Sequence, residues 1–163
     1  MKIFIKKLKN GHYKFQDEQE LEKLEIKDYV GKYNLEIELE KTDSQIVLKN
    51  IVKVEYTVAC DRCLVEFVNR TKSEFELYFI FSNSKKNELD DNTKYIDEES
   101  EYIDITNDIR DYIILSFPMQ HICKEECLGL CPRCGKDLNV EQCECKEEST
   151  NPIWDELKKI KFS

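Results

Sequence analysis

A chain of 163 residues suffices for one domain, or one domain with a small appendage, and 40% apolar residues suffice for one core inside a heavily charged shell. A net charge of −9, from 34 acids against 25 bases, argues against a general polyanion binder, which needs the opposite sign to displace phosphate counterions. It points instead to a basic protein partner, or to a local basic patch on an acidic body.

The start, MKIFIKKLKN, breaks its apolar runs with lysine and has no secretory core. The longest apolar stretches are far too short to cross a bilayer, so a soluble, cytoplasmic protein with no membrane partner is expected. Residues 1–16 hold five lysines and no acid, and Ile3 and Ile5 alternate with Lys2, Phe4 and Lys6. That pattern predicts a short strand whose lysines guard a solvated edge. Residues 17–28 hold six acids and read as a short exposed helix carrying Leu21 and Leu24, or as a loop.

From Tyr33 the alternation is strict: Tyr33, Leu35, Ile37 and Leu39 against Asn34, Glu36, Glu38 and Glu40. This is the signature of a half-buried strand. Thr42-Asp43-Ser44 reads as a turn. A second strand is expected over 45–59 and a third over 65–81, paired antiparallel because the links are too short for parallel crossovers. Residues 82–101 are polar and acidic and read as a mobile loop. A helix is expected over 106–117, with Ile109, Tyr112, Ile113 and Ser116 on one face, Asp104 or Thr106 at its start, and Pro118 ending it. A last short helix over 151–160 would align Trp154, Leu157 and Ile160.

All eight cysteines fall in two places. Cys60-Asp61-Arg62-Cys63 lies between two expected strands. The others are Cys123, Cys127, Cys131, Cys134, Cys143 and Cys145, of which Cys131 to Gly135 reads Cys-Pro-Arg-Cys-Gly. A C-x-x-C turn aims two sulfurs at one ion while its own N–H groups donate to the thiolates, and two such arms complete a tetrahedral zinc site. Eight ligands therefore suggest two zinc ions. A local division would group Cys60, Cys63, Cys123 and Cys127, and separately Cys131, Cys134, Cys143 and Cys145; it keeps the closing loops short. The rival division joins the two C-x-x-C turns as in a zinc ribbon. His121 stands close enough in sequence to replace a ligand, although a neighbouring histidine is more often a supporting group. A dithiol switch or an iron–sulfur cluster are the other chemistries open to such cysteines.

Arg62 and Arg133 each directly precede the second cysteine of a C-x-x-C turn, placed to offset thiolate charge or to face phosphate. No phosphate-binding glycine loop, nucleophile elbow or other catalytic constellation is present, so no catalytic residue and no small-molecule substrate are assigned.

The strings TVACDRCLVEF, DITNDIRDYIILSFP leading into CLGLCPRCGKDLN, and NPIWDELKKI together resemble the YceD family of bacterial and organellar proteins, in matching order from about residue 30 onward. Ile153 departs from the arginine more usual there. The resemblance implies a role in the synthesis, processing or stability of large-subunit ribosomal RNA (23S rRNA in bacteria). The family's genes often neighbour one for a small basic ribosomal protein of the large subunit.

The combined expectation is an α+β fold. Residues 1–118 would form an antiparallel sheet with one packed helix, and residues 119–163 a zinc-binding tail with a short terminal helix, integrated with that core. The function expected is a non-enzymatic ribosome-biogenesis factor acting on a large-subunit precursor through a basic ribosomal protein or rRNA. A zinc-dependent nucleic-acid-binding regulator is the alternative, with a thiol redox sensor behind it.

Overall fold

The computed structural model describes residues 1–82 and 92–145. The expected helix over 151–160 and part of the expected loop, residues 83–91, lie outside the described residues.

Four long strands form an antiparallel meander: β2 (Gly11–Glu20), β3 (Val30–Lys41), β4 (Gln45–Ala59) and β5 (Glu66–Phe81), with β1 (Lys2–Phe4) standing apart before them. Alternation decides which face each residue takes. Tyr33, Leu35, Ile37 and Leu39 of β3 pair across to Val54, Val52, Asn50 and Leu48 of β4, and all eight are buried. Phe75, Leu77 and Phe79 extend the same face on β5. The opposite face is a lattice of opposed charges, including Lys14 with Glu38, Lys53 with Glu36 and Arg70 with Glu55. Its concavities are lined largely by these lysine–glutamate pairs, as on a solvated sheet. At Gly31 the facing strand comes so close that an added methyl would lie 2.2 Å from the Glu55 carbonyl oxygen.

The buried face is covered by α1 (Thr106–Ser116), which contributes Ile109 and Ile113, and whose Tyr112 stacks on Phe75 with ring centroids 3.9 Å apart. The Asp104 carboxylate accepts the Thr106 N–H at the helix start, but the N-cap is Ile105, which no side chain caps, in place of the expected Asp104 or Thr106. The helix closes at Ser116, one residue before the expected end.

Three expectations are corrected. Residues 17–20 belong to β2, and Leu21–Leu24 form one 3-10 turn that buries Leu21 and Leu24 rather than an exposed helix. Glu18 and Glu20 point outward, Glu18 meeting Lys32 at 2.9 Å, whereas Asp17 is half-buried opposite Leu35. Within 82–101, β6 (Thr93–Ile96) pairs with residues 78–81 of β5 in parallel, so the sheet is antiparallel-dominated rather than wholly antiparallel. The N-terminal strand β1 does not edge the main sheet. It pairs with β7 (Tyr102–Asp104) in a separate two-stranded ribbon that puts Ile3, Ile5, Ile103 and Ile105 into the core. The described residues are thus mostly strand with a single α-helix.

Candidate metal centres

The β4–β5 hairpin ends in Cys60-Asp61-Arg62-Cys63-Leu64, and the chain after α1 returns to this tip. Asp61 receives that return twice: its N–H donates to the His121 carbonyl at 2.8 Å, and its carboxylate accepts the His121 N–H at 2.7 Å. Cys123 and Cys127 are thereby laid against Cys60 and Cys63. The four sulfurs lie within 4.8 Å of one another, with Cys60–Cys127 at 3.9 Å and Cys63–Cys123 at 3.6 Å. A tetrahedral ion with sulfurs at about 2.3 Å requires sulfur–sulfur edges of about 3.8 Å. Cys60, Cys63 and Cys127 are buried.

The second group, Cys131, Cys134, Cys143 and Cys145, meets the same 4.8 Å limit, with Cys131–Cys143 at 3.5 Å. It lies nearer the surface, where Cys134 and Cys145 are exposed. The eight cysteines therefore assemble four and four, in the local division rather than the ribbon-like one.

The two C-x-x-C turns share one backbone design. Leu64 N–H donates to the Cys60 carbonyl at 2.9 Å, and Gly135 N–H donates to the Cys131 carbonyl at 2.9 Å. The residue after the second cysteine is left-handed in both, with φ +61° at Leu64 and +72° at Gly135. Glycine takes this conformation without strain, whereas leucine does not.

These turns prepare thiolates. Burial pushes the Cys60 thiol up, but the N–H groups of Cys123, Cys63 and Arg62 outweigh it and bring Cys60 down to about 6. The N–H groups of Cys134 and Arg133 likewise bring Cys131 down to about 6. Burial, with the neighbouring sulfurs, pushes Cys123 up to about 12, and the Cys134 sulfur leads in pushing Cys145 up to about 12. Without a cation, each group thus favours one early thiolate beside thiols that resist ionising. A divalent cation would reverse that resistance, because its charge favours every thiolate around it.

The supporting groups include some that the spacing did not signal. Arg62, expected either to offset thiolate charge or to face phosphate, donates from Nη1 to the Cys127 carbonyl at 3.0 Å, bracing the opposite arm. Arg133 lies exposed in the second turn. His121 contributes no sulfur-facing contact: its Nε2 meets the Tyr29 hydroxyl at 3.1 Å within an aromatic cluster of Tyr29, Tyr56 and Phe117. Asn139 links the two groups. Its Nδ2 approaches the Cys127 sulfur at 3.5 Å, and its Oδ1 accepts the Leu128 N–H at 3.0 Å. Neither Asp61 nor Asn139 belongs to a ligand pattern, although both sit inside the cysteine strings quoted above. None of the described helices is long and apolar enough to cross a membrane.

The chain is similar to the chloroplastic large ribosomal RNA subunit accumulation protein YCED homolog 1 of Arabidopsis thaliana, at 26% identity over 76% of this chain and 47% of that one. It is similar to an uncharacterized protein of Mycobacterium tuberculosis at 26% identity, over 76% of this chain and 59% of that one. Bacillus subtilis YlbN is 29% identical over 71% of this chain and 66% of its own length. The chain thus spans about half to two thirds of these relatives. No solved structure matches. The family model described as large ribosomal RNA subunit accumulation protein YceD matches residues 48–161, which take in both cysteine groups, the helix and most of the β4–β5 hairpin, and the chain belongs to that YceD family.

Proposed function

We propose that this protein is a non-enzymatic factor for large-subunit ribosomal RNA, needed for its synthesis, processing or stability, and built on two structural zinc ions. Family membership supports the ribosomal part. One observation supports the metal part: two groups of four cysteines whose sulfurs approach at 3.5–3.9 Å, close to the edge of a zinc–thiolate tetrahedron. Cys60, Cys63, Cys123 and Cys127 would hold one ion, and Cys131, Cys134, Cys143 and Cys145 the other. All-thiolate sites leave no open position for substrate, which favours scaffolding over catalysis. In this reading the described part of the tail, residues 119–145, is not a free appendage but is stapled to the β4–β5 hairpin through the first ion.

Direct RNA binding is the second reading, and the β1–β7 ribbon favours it. Phe4 and Tyr102 are exposed with ring centroids 6.1 Å apart, and the Lys2 ammonium lies 4.6 Å over the Tyr102 ring. Such pairs can stack on unpaired bases. Glu99 beside Lys6 and Asp104 beside the N-terminal amine offset that charge, so a protein-facing role ranks first.

The test joins metal to phenotype. Protein purified under reducing conditions should carry about two zinc ions per chain, one for each four-thiolate group. Cells depleted of it should lose large-subunit rRNA relative to small-subunit rRNA, and a Cys63→Ser copy should fail to restore it. Metal-free protein with an intact fold overturns the zinc centres; unchanged rRNA on depletion overturns the ribosomal role.

A further inference from the structure

Strand β2 ends the main sheet. It pairs with β3 along all ten of its residues, and among the described residues no strand pairs with its other side. The turn between β3 and β4 fixes which backbone groups face that free edge. Thr42 N–H donates to the Gln45 carbonyl at 2.9 Å, and antiparallel bonding alternates, so the even residues of β3 bond to β4. Its odd residues then bond to Tyr13, Phe15, Asp17 and Gln19 of β2. The N–H and C=O groups of His12, Lys14, Gln16 and Glu18 are left to line the free edge. Their side chains are exposed on the charged face of the sheet, while Tyr13, Phe15, Asp17 and Gln19 are half-buried on the other face.

Edges of this length are commonly blunted by proline or a bulge, and β2 has neither. Its exposed side chains are complementary to themselves. Laid antiparallel on a second copy with Gln16 facing Gln16, Lys14 meets the partner's Glu18 and His12 meets the partner's Glu20, each pair occurring twice by symmetry. No like charges stand directly opposite. On the other face Tyr13 meets the partner's Gln19, and Phe15 the partner's Asp17. Centring on Phe15 or Asp17 instead would set Lys14 or Glu18 against Gln16, and a slip of one residue would set exposed positions against half-buried ones. Within the chain Lys14 meets Glu38 at 2.6 Å, Glu18 meets Lys32 at 2.9 Å and His12 lies 3.9 Å from Glu40. The join continues that ladder: Lys49, Glu38 and Lys14 alternate in one cross-strand row, and the partner's Glu18 comes next.

We propose that β2 docks edge to edge on β2 of a second copy of this chain, across a two-fold axis at Gln16, so that the two main sheets become one. Main-chain hydrogen bonds supply the attraction, and the lysine–glutamate and histidine–glutamate pairs supply the register. The contact is isologous, so it closes at two copies. The opposite side of the sheet is less open to such pairing, because β6 occupies the edge of β5 along residues 78–81. This contact depends on neither the metal centres nor the ribosomal reading.

The test is sedimentation of the full-length chain over a concentration series. The wild type should form a dimer, and a chain that stays monomeric up to about 100 μM overturns the contact. Gln16→Pro removes an N–H that points out of the sheet and leaves the bonds to β3 in place. It should weaken the dimer at least about tenfold with little change in melting temperature. A dimer of unchanged affinity overturns this edge. Lys14→Glu alone, or Glu18→Lys alone, sets like charges opposite across the axis and should also weaken the dimer. The two changes together restore opposite charges there and should restore the affinity. The exchange decides the register even where Gln16→Pro lowers the melting temperature, because these side chains are exposed. No rescue by the exchange, or growth into species larger than a dimer, overturns the two-fold axis at Gln16.

Discussion

Leu64 and Gly135 occupy equivalent places in two equivalent turns, so exchanging one for the other isolates backbone strain. Leu64→Gly relieves a left-handed leucine, worth about 1 kcal/mol, but gives the unfolded chain more freedom. The expected outcome is neutral or stabilising by up to about 1 kcal/mol in urea unfolding, with full zinc content. A clear loss would mean that the leucine packs within this chain. The thiols make a second prediction at this scale. Cys60 and Cys131 lie below the ordinary thiol value of about 8.5, so each stabilises the metal-free fold above that value and loses its contribution as pH falls through about 6. Cys123 and Cys145 lie above the ordinary value, so they favour the fold while neutral and count against it as pH rises beyond about 8.5. Urea midpoints of metal-free protein should therefore peak near pH 8.5, and a midpoint that climbs steadily from pH 6 to 10 contradicts this.

At the scale of elements, the β4–β5 hairpin and the segment after α1 depend on each other. Cys63 lies on the hairpin and its sulfur partner Cys123 on the returning segment, while Asp61 clasps His121 between them. Cys63→Ser should release one zinc ion, expose the 119–127 segment to protease and cost several kcal/mol, while Cys131, Cys134, Cys143 and Cys145 retain theirs. Loss of both ions from the single change would mean that the two centres fold as one. Gly31→Ala tests the sheet itself. A methyl there meets the Glu55 carbonyl oxygen, so β3 and β4 must part locally. A loss of about 1–3 kcal/mol is expected, with metal content unchanged, measured by denaturant midpoint and zinc analysis.

Across the whole molecule, acids outnumber bases, and four thiolates around each proposed divalent ion would add further negative charge. Binding to a basic partner should weaken as salt rises from 50 to 300 mM, whereas association carried by apolar contacts alone would hardly change. Titrations with one partner across that range separate the two contributions.

Strands β3, β4 and β5 were legible because alternation is local: each of Tyr33, Leu35, Ile37 and Leu39 declares its face within two residues of its neighbour, whereas β2 went unread. That the cysteines could form metal-holding groups was legible for the same reason, since C-x-x-C and Cys-Pro-Arg-Cys-Gly are short-range patterns. The acids of 17–20 misled, because their charge resembles an exposed helix until Lys32 across the sheet is known to face them. The pairings of β6 with β5 and of β1 with β7 were hidden, since three- and four-residue strands carry too little periodicity to signal a partner. The division of the cysteines, the clasp of Asp61 on His121 and the approach of Asn139 to Cys127 arose only in the folded chain. Residue types could set which atoms can bind a metal; which four sulfurs meet depends on closing loops such as that from Cys63 to Cys123, and only the packing of β4, β5 and α1 brings those ends together.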